Sequence, residues 1–298
     1  MKIRLITGSA YIAVLAGFFC LKIFVHDLFF DALIYFFALM GTFEMTRAMG
    51  DKLTKAGKIC AFVFAALCVP ACALFEGVLF GGGRGVIAVV ALLLVFCVVL
   101  LSLLVARHEE TDIEKLGTAF LCLVYPNILL CVMVLCNHLT ATGDLEKFAF
   151  NSDLAILFVF VVSPVADSLA YVFGRFLKKY FPKKMAPVVS PNKTVIGGIG
   201  GLFGGVLGAA VLYFAYNAVC GSFENMGVML SAYLIIGLVA AAATAWGDLV
   251  ESCIKRKVGI KDMGKIMPGH GGVLDRIDGS QFTAIVTYIG FIIVAAIL

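Results

Sequence analysis

Apolar runs of about twenty residues, the length a helix needs to cross the hydrocarbon of a bilayer, recur along this chain. Nine such spans are expected, at roughly 5–25, 28–46, 58–80, 85–106, 117–137, 153–174, 196–219, 228–250 and 280–298. Short polar turns separate most of them. One longer stretch, Asp248 to Gly279, crowds carboxylates, cations, a histidine and glycines into a chain that is otherwise close to hydrocarbon. Charge packed beside a bilayer is costly and is usually functional there.

Composition strengthens the membrane reading. The 298 residues are 62% hydrophobic and 14% charged, whereas soluble domains have about 25% charged and 45–50% apolar residues. The expected fold class is all-α, a polytopic integral membrane protein of about nine transmembrane helices. With a cytoplasmic amino terminus, the alternation of spans puts every Lys and Arg on the cytoplasmic side except Lys22, Arg84 and Lys147. This segregation obeys the positive-inside rule, so the net charge of +4 reflects topology. No nucleic-acid partner is expected. The apolar run after Met1-Lys2-Ile3-Arg4 is longer than the ~7–15 residues of a secretory h-region, and is expected to stay as a first span. The ten cysteines form no Cys-x-x-Cys pair and read as small buried hydrophobes.

The first half, expected as a scaffold over 1–139, holds little chemistry. Asp31 and Glu44 lie in the second span, and Arg47 follows Glu44 by one turn. Glu44 either pairs with Arg47 at the helix end or contributes to a polar cavity. His26, His108 and His138 lie alone in loops. The second half, 140–298, is expected to be catalytic. Asp167 sits two turns from the cytoplasmic end of the sixth span, near Pro164. It either pairs with a neighbouring helix or faces a wet cavity. Ser190-Pro191-Asn192-Lys193-Thr194 precedes the seventh span, where a hydroxyl serves as an N-cap or, with the lysine, as part of a phosphate cradle. Gly197, Gly201 and Gly205 recur at four-residue spacing with no strand before them. That spacing predicts close helix packing instead of a nucleotide loop.

Asp248, Glu251, Ser252 and Lys255 follow one another at i, i+3, i+4 and i+7 and so share one helical face. Such a face must line a polar pocket. Further on, Asp275 and Asp278 flank Arg276 behind His270-Gly271-Gly272. Carboxylates from separate elements, with oxygen ligands only, suit Mg²⁺, which keeps waters and substrate phosphates as co-ligands. Lys193, Lys255, Arg256, Lys261 and Arg276 are available to neutralise phosphate oxygens. Cation plus metal clamps are what phosphoryl or nucleotidyl transfer needs.

These residues carry a resemblance. Ser252, Lys255-Arg256, Lys261-Asp262, Gly264, His270-Gly271-Gly272 and Asp275-Arg276-Ile277-Asp278 are similar, without a gap, to the signature of the phosphatidate cytidylyltransferase (CDP-diacylglycerol synthase) family. Asp167 to Arg175 and Ser190 to Thr194 resemble two further motifs of that family. Met267 replaces a usual Leu, Ile or Phe, and Ile196 stands where the family commonly has Glu. The resemblance implies synthesis of CDP-diacylglycerol and pyrophosphate from CTP and phosphatidic acid, in phospholipid biosynthesis.

It further implies that Asp248 and Asp275 hold Mg²⁺, with Asp167, Glu251 and Asp278 supporting them or holding a second cation. Ser190, Lys193, Thr194, Ser252, Lys255, Arg256, Lys261 and Arg276 would bind phosphates, and His270, Gly271 and Gly272 would shape the loop over the nucleotide. The implied setting is a bacterial cytoplasmic membrane, with the site facing the cytoplasm and a homodimer left open. Two other classes compete: a CTP-using lipid-alcohol kinase, and a transporter relaying ions through Asp167 and Asp248. The clustering of polar residues on one side of the membrane favours the enzyme.

Overall fold

The computed structural model describes residues 2–79, 83–139, 151–220 and 226–297. Lys147 lies outside the described residues, as do the side chains of Lys2, Arg4 and Cys220. In chain order the helices are α1 (Lys2–Phe24), α2 (Leu28–Met49), α3 (Lys55–Ala73), α4 (Arg84–Ala106), α5 (Ile113–Leu123) and α6 (Leu129–Asn137). Then follow α7 (Ser152–Leu177), a hairpin of β1 (Lys184–Ala186) and β2 (Ser190–Thr194), α8 (Val195–Cys220), α9 (Met226–Lys257) and α10 (Leu274–Ile297). Among the described residues nine helical stretches are long and apolar enough to cross a membrane, with α5 and α6 joined into one by a wider turn at Val124–Ile128. The protein is an all-α, multi-pass membrane protein. Its small antiparallel hairpin was not expected, because three- and five-residue strands leave no periodic trace.

Local chemistry starts several helices where the polar turns end. Thr54, Asp112 and Asn151 each accept the N–H three residues on, from Gly57, Lys115 and Leu154, at 3.0, 2.7 and 2.9 Å. Each cap satisfies one of the orphan donors of a helix start. The last helix departs from expectation: it begins at Leu274 instead of near 280. Asp275 and Asp278 therefore stand on its first two turns and not in a loop. Hydropathy misses those turns because Asp275-Arg276-Ile277-Asp278 is polar, and their helical geometry is secured by side-chain acceptors described below.

The chain divides into two compact units. The first comprises Met1–His138 with Val258–Arg276. Phe30, Ile34, Phe37 and Met45 of α2, Phe64 of α3, and Leu130 and Met133 of α6 are buried in its core. On α4, Ile87, Leu94 and Val98 remain largely exposed, as lipid-facing side chains do. Asp31 is buried and is met by Asn137 Nδ2 at 2.9 Å and His138 Nε2 at 2.6 Å. His138 is thus no isolated loop residue; it is the buried partner of a carboxylate that needs one. The described cysteines are free thiols, most of them buried.

The second unit comprises Leu139–Lys257 with Ile277–Leu298. Phe158 of α7 packs edge-on against Tyr233 of α9 and Phe291 of α10, with ring centroids 5.9 and 5.6 Å apart. The glycines of α8 act in packing, as their spacing predicts. A Cβ at Gly204 would lie 2.8 Å from the Val165 carbonyl oxygen and 2.9 Å from Ala166 Cα, both backbone atoms of α7. Gly237 on α9 is equally close to α8, with a Cβ there 2.7 Å from the Gly205 oxygen. Backbone-to-backbone contact of this kind excludes any side chain. Gly204→Ala should force α7 and α8 apart and lower stability by about 1–3 kcal/mol. Gly17→Ala, where nothing lies within 4 Å, should lose none; thermal unfolding in detergent compares the two.

Candidate active site

In the second unit a cavity of about 640 Å³ opens where α7, β2, α8 and α9 meet. Its lining includes Asp167, Tyr171, Arg175 and Lys178 of α7, Asn192, Lys193 and Thr194 of β2, and Asp248 of α9. The hairpin carries Lys193 into the cavity. Lys193 Nζ pairs with Asp248 Oδ2 at 2.5 Å and donates to the Ala245 carbonyl at 3.3 Å. Asp167, whose environment the sequence left open, is exposed and lines this same cavity. Arg175 donates to the Tyr171 hydroxyl and stacks over that ring at 5.8 Å. The cavity is therefore lined by both cations and carboxylates.

The helical face from Asp248 to Lys255 turns inward, as its spacing requires. Ser252 Oγ donates to Asp248 Oδ1 at 3.2 Å, and Lys255 Nζ to Glu251 Oε2 at 3.1 Å. Glu251, Ser252 and Lys255 are buried, while the Asp248 side chain keeps 32% of its exposure. Asp278 lies within hydrogen-bonding reach of Glu251 and in the field of Asp248 and Lys255. Glu251 and Asp278 thus form a supporting layer behind Asp248. Arg256 reaches outward, and its Nε donates to the Val189 carbonyl at the hairpin turn at 3.3 Å. Ser190 is half-buried at the start of β2. Thr194 resolves toward capping: its buried hydroxyl accepts the Gly197 N–H at 3.1 Å, while its residue also lines the cavity.

In the first unit the Val258–Arg276 segment folds into a tight loop. Gly269 and Gly271 take φ of +80° and +88°, a region that L side chains rarely adopt. They let Met267 N–H reach the Gly271 carbonyl at 2.9 Å. Asp275 Oδ2 accepts two loop N–H groups, from Met263 at 2.9 Å and Gly272 at 2.7 Å. His270 Nδ1 lies 2.6 Å from the Thr7 hydroxyl of α1, which also donates to the Pro268 carbonyl at 3.3 Å. Lys261 and Arg276 are exposed. Asp248 belongs to the second unit and Asp275 to the first.

The sequence reading missed two residues here. Thr7 carries no signal, being one hydroxyl in an apolar span. Glu44 was visible as an embedded carboxylate but was expected at Arg47 or in a polar cavity. Instead it is 1% exposed and accepts the N–H groups of Val273 and Leu274 at 3.0 and 2.8 Å.

Among the described residues no three His, Cys, Asp or Glu side chains converge as a ready metal site. Mg²⁺ does not require one, since it is held by one or two carboxylates, waters and substrate phosphates. The Lys193 ammonium on Asp248 stands in for a cation, and the carboxylates about it offer hard oxygen donors only. The residues present fit a hard divalent ion.

The cytidylyltransferase family profile matches residues 2–294. The chain belongs to that family. Among curated relatives named phosphatidate cytidylyltransferase, the chain is 42% identical over 127 residues to that of Staphylococcus saprophyticus, covering 43% of this chain and 45% of the relative. It is 43% identical over 129 residues to a Staphylococcus aureus protein, covering 43% and 45%. The Staphylococcus haemolyticus protein matches at 40% over 142 residues, covering 47% and 50%. The chain thus spans about half the length of the curated relatives it matches.

Thr194→Ala should lower stability by about 1 kcal/mol through the lost cap. Thr194→Ser should retain most of it. Thermal unfolding of the purified protein separates the two variants.

Proposed function

We propose that this member of the cytidylyltransferase family makes CDP-diacylglycerol from CTP and phosphatidic acid, at the cytoplasmic face of a bacterial inner membrane. The observation that carries this reading is the Lys193–Asp248 pair in a cavity ringed by Arg175 and Lys178. Cations that neutralise phosphates, beside a carboxylate able to hold a hard ion, are the requirements of nucleotidyl transfer. The names of the relatives and the segregation of Lys and Arg support the choice of substrates and the orientation.

A phosphatidate oxygen forms the new bond to the α-phosphorus of CTP, and the bond from that phosphorus to the α–β bridging oxygen breaks. Pyrophosphate leaves with the electron pair. The attacking phosphate is already ionised at neutral pH, so no side chain need remove a proton from it. Lys193, Arg175 and Lys178 orient and neutralise phosphate oxygens in the cavity. Lys255 and Ser252 fix the carboxylates of α9, and Ser190, Arg256, Lys261 and Arg276 are assigned to phosphate binding on the strength of the motif. His270, Gly271 and Gly272 shape the loop over the nucleotide. Asp248 and Asp275 are assigned to the divalent ion, with Asp167, Glu251 and Asp278 supporting it or a second cation. When bound, such an ion spreads the charge that develops on the transferring phosphoryl group. The lipid acyl chains stay in the bilayer, so the lipid enters sideways.

Purified protein supplied with phosphatidic acid, Mg²⁺ and each nucleoside triphosphate in turn should release pyrophosphate with CTP and yield a CDP-lipid. Release of CDP with a phosphorylated alcohol would mean a kinase instead. Asp248→Asn should cut turnover about 100-fold or more while the protein still inserts, and so should Asp275→Asn. Wild-type turnover in either variant overturns that residue's assignment.

A further inference from the structure

The buried carboxylate of Glu44 is not used by the chemistry above, yet both of its oxygens are engaged by backbone N–H groups. It sits on α2, about 230 residues from the loop it grips. Oε1 accepts the Val273 N–H and Oε2 the Leu274 N–H, so both oxygens close the amino-terminal end of α10. Free N–H groups at a helix start carry partial positive charge and favour an anion. The contact is enclosed by glycines: a Cβ at Gly264 or at Gly272 would overlap the Glu44 carboxylate. One turn earlier on α2, a Cβ at Gly41 would crowd Pro126 Cγ at 2.8 Å and meet Leu274 Cδ1 at an ordinary contact distance of 3.4 Å, and Leu274 itself is fully buried. The side chain that begins α10 thus lies beside the same stretch of α2 whose Glu44 holds its backbone.

The residues held in this way are those of the signature loop. Gly272 N–H goes to Asp275 Oδ2, the next two N–H groups go to Glu44, and Asp275 follows directly. Glu44 and Asp275 divide the donors of one turn between them. Without the Glu44 carboxylate the Val273 and Leu274 N–H groups would lose these acceptors, directly between the Gly272 N–H that Asp275 holds and Asp275 itself. Among the described residues no other acceptor is shown for these two N–H groups.

We infer that Glu44 is a positioning residue, which clamps the start of α10 and the His270–Asp275 loop and so presets the orientation of Asp275 for its part in the reaction. This rests on the assignment of Asp275 proposed above. A carboxylate from the scaffold half of the chain would thereby belong to the machinery of the catalytic half.

Hydrogen–deuterium exchange and kinetics on the full chain in lipid nanodiscs test this. In the wild-type protein the Val273 and Leu274 amides should exchange more slowly than those of Lys261, Asp262 and Lys265; fast exchange at both overturns the inference without any variant. Glu44→Gln keeps the shape but leaves one acceptor oxygen. Exchange at Gly272–Leu274 should quicken about tenfold or more, with the core of α3 unchanged. The Mg²⁺ concentration giving half-maximal CDP-lipid formation should rise about tenfold. A purely structural role would lower the active fraction without moving that midpoint, and this outcome, like unchanged exchange, overturns the inference. If Glu44→Gln does not fold, Gly264→Ala displaces the carboxylate while keeping its charge, and should give the same two shifts; wild-type values there overturn it. A wild-type protein that makes no CDP-lipid sinks the functional reading alone, because the exchange data still decide what Glu44 holds.

Discussion

A carboxylate inside an apolar helix bundle has to be answered by donors, because the hydrocarbon around it offers none. Four buried acidic side chains obey this constraint in four places. Asp31 takes Asn137 and His138, Glu76 takes the N–H groups of Gly83 and Gly85 at 2.8 Å each, and Glu251 takes Lys255. Glu44 takes the start of the last helix. Three of these contacts join separate segments, while Glu251 and Lys255 pair one turn apart on α9. The same scarcity of partners that makes such groups costly makes their geometry well defined.

Chemistry in this protein therefore rests on two kinds of close approach. In the second unit it is backbone against backbone: glycines of α8 admit α7 and α9 to contact, and the cavity forms where the ends of these helices meet the hairpin. Lys193 reaches Asp248 because β2 is short and runs directly into α8. In the first unit it is carboxylate against backbone, with Glu44 and Asp275 between them holding a glycine-rich loop. Both devices place charged groups without exposing them to lipid.

Much of this was legible residue by residue. Runs of about twenty apolar residues revealed the spans, and the i, i+3, i+4, i+7 spacing from Asp248 put four polar side chains on one face. The four-residue spacing of Gly197, Gly201 and Gly205 marked a helix packed closely against its neighbours. The hairpin, the true start of α10 at Leu274 and the partner of His138 were not legible. Polar turns dilute a hydropathy window, three-residue strands have no period, and a buried His–Asp pair spans more than a hundred residues.

The sequence by itself determined the solvent of this protein, its helical class, and the segment in which oxygen ligands and cations gather. Those properties are local: they depend on what lies within a turn or a span of each residue. Only the tertiary structure decided that Lys193 meets Asp248, that Thr194 caps α8, and that Glu44, in the field of Arg47, hydrogen-bonds the Val273 and Leu274 N–H groups. Pairing across such separations is settled by which donors remain once the helices have packed. No stretch of sequence carries that information alone.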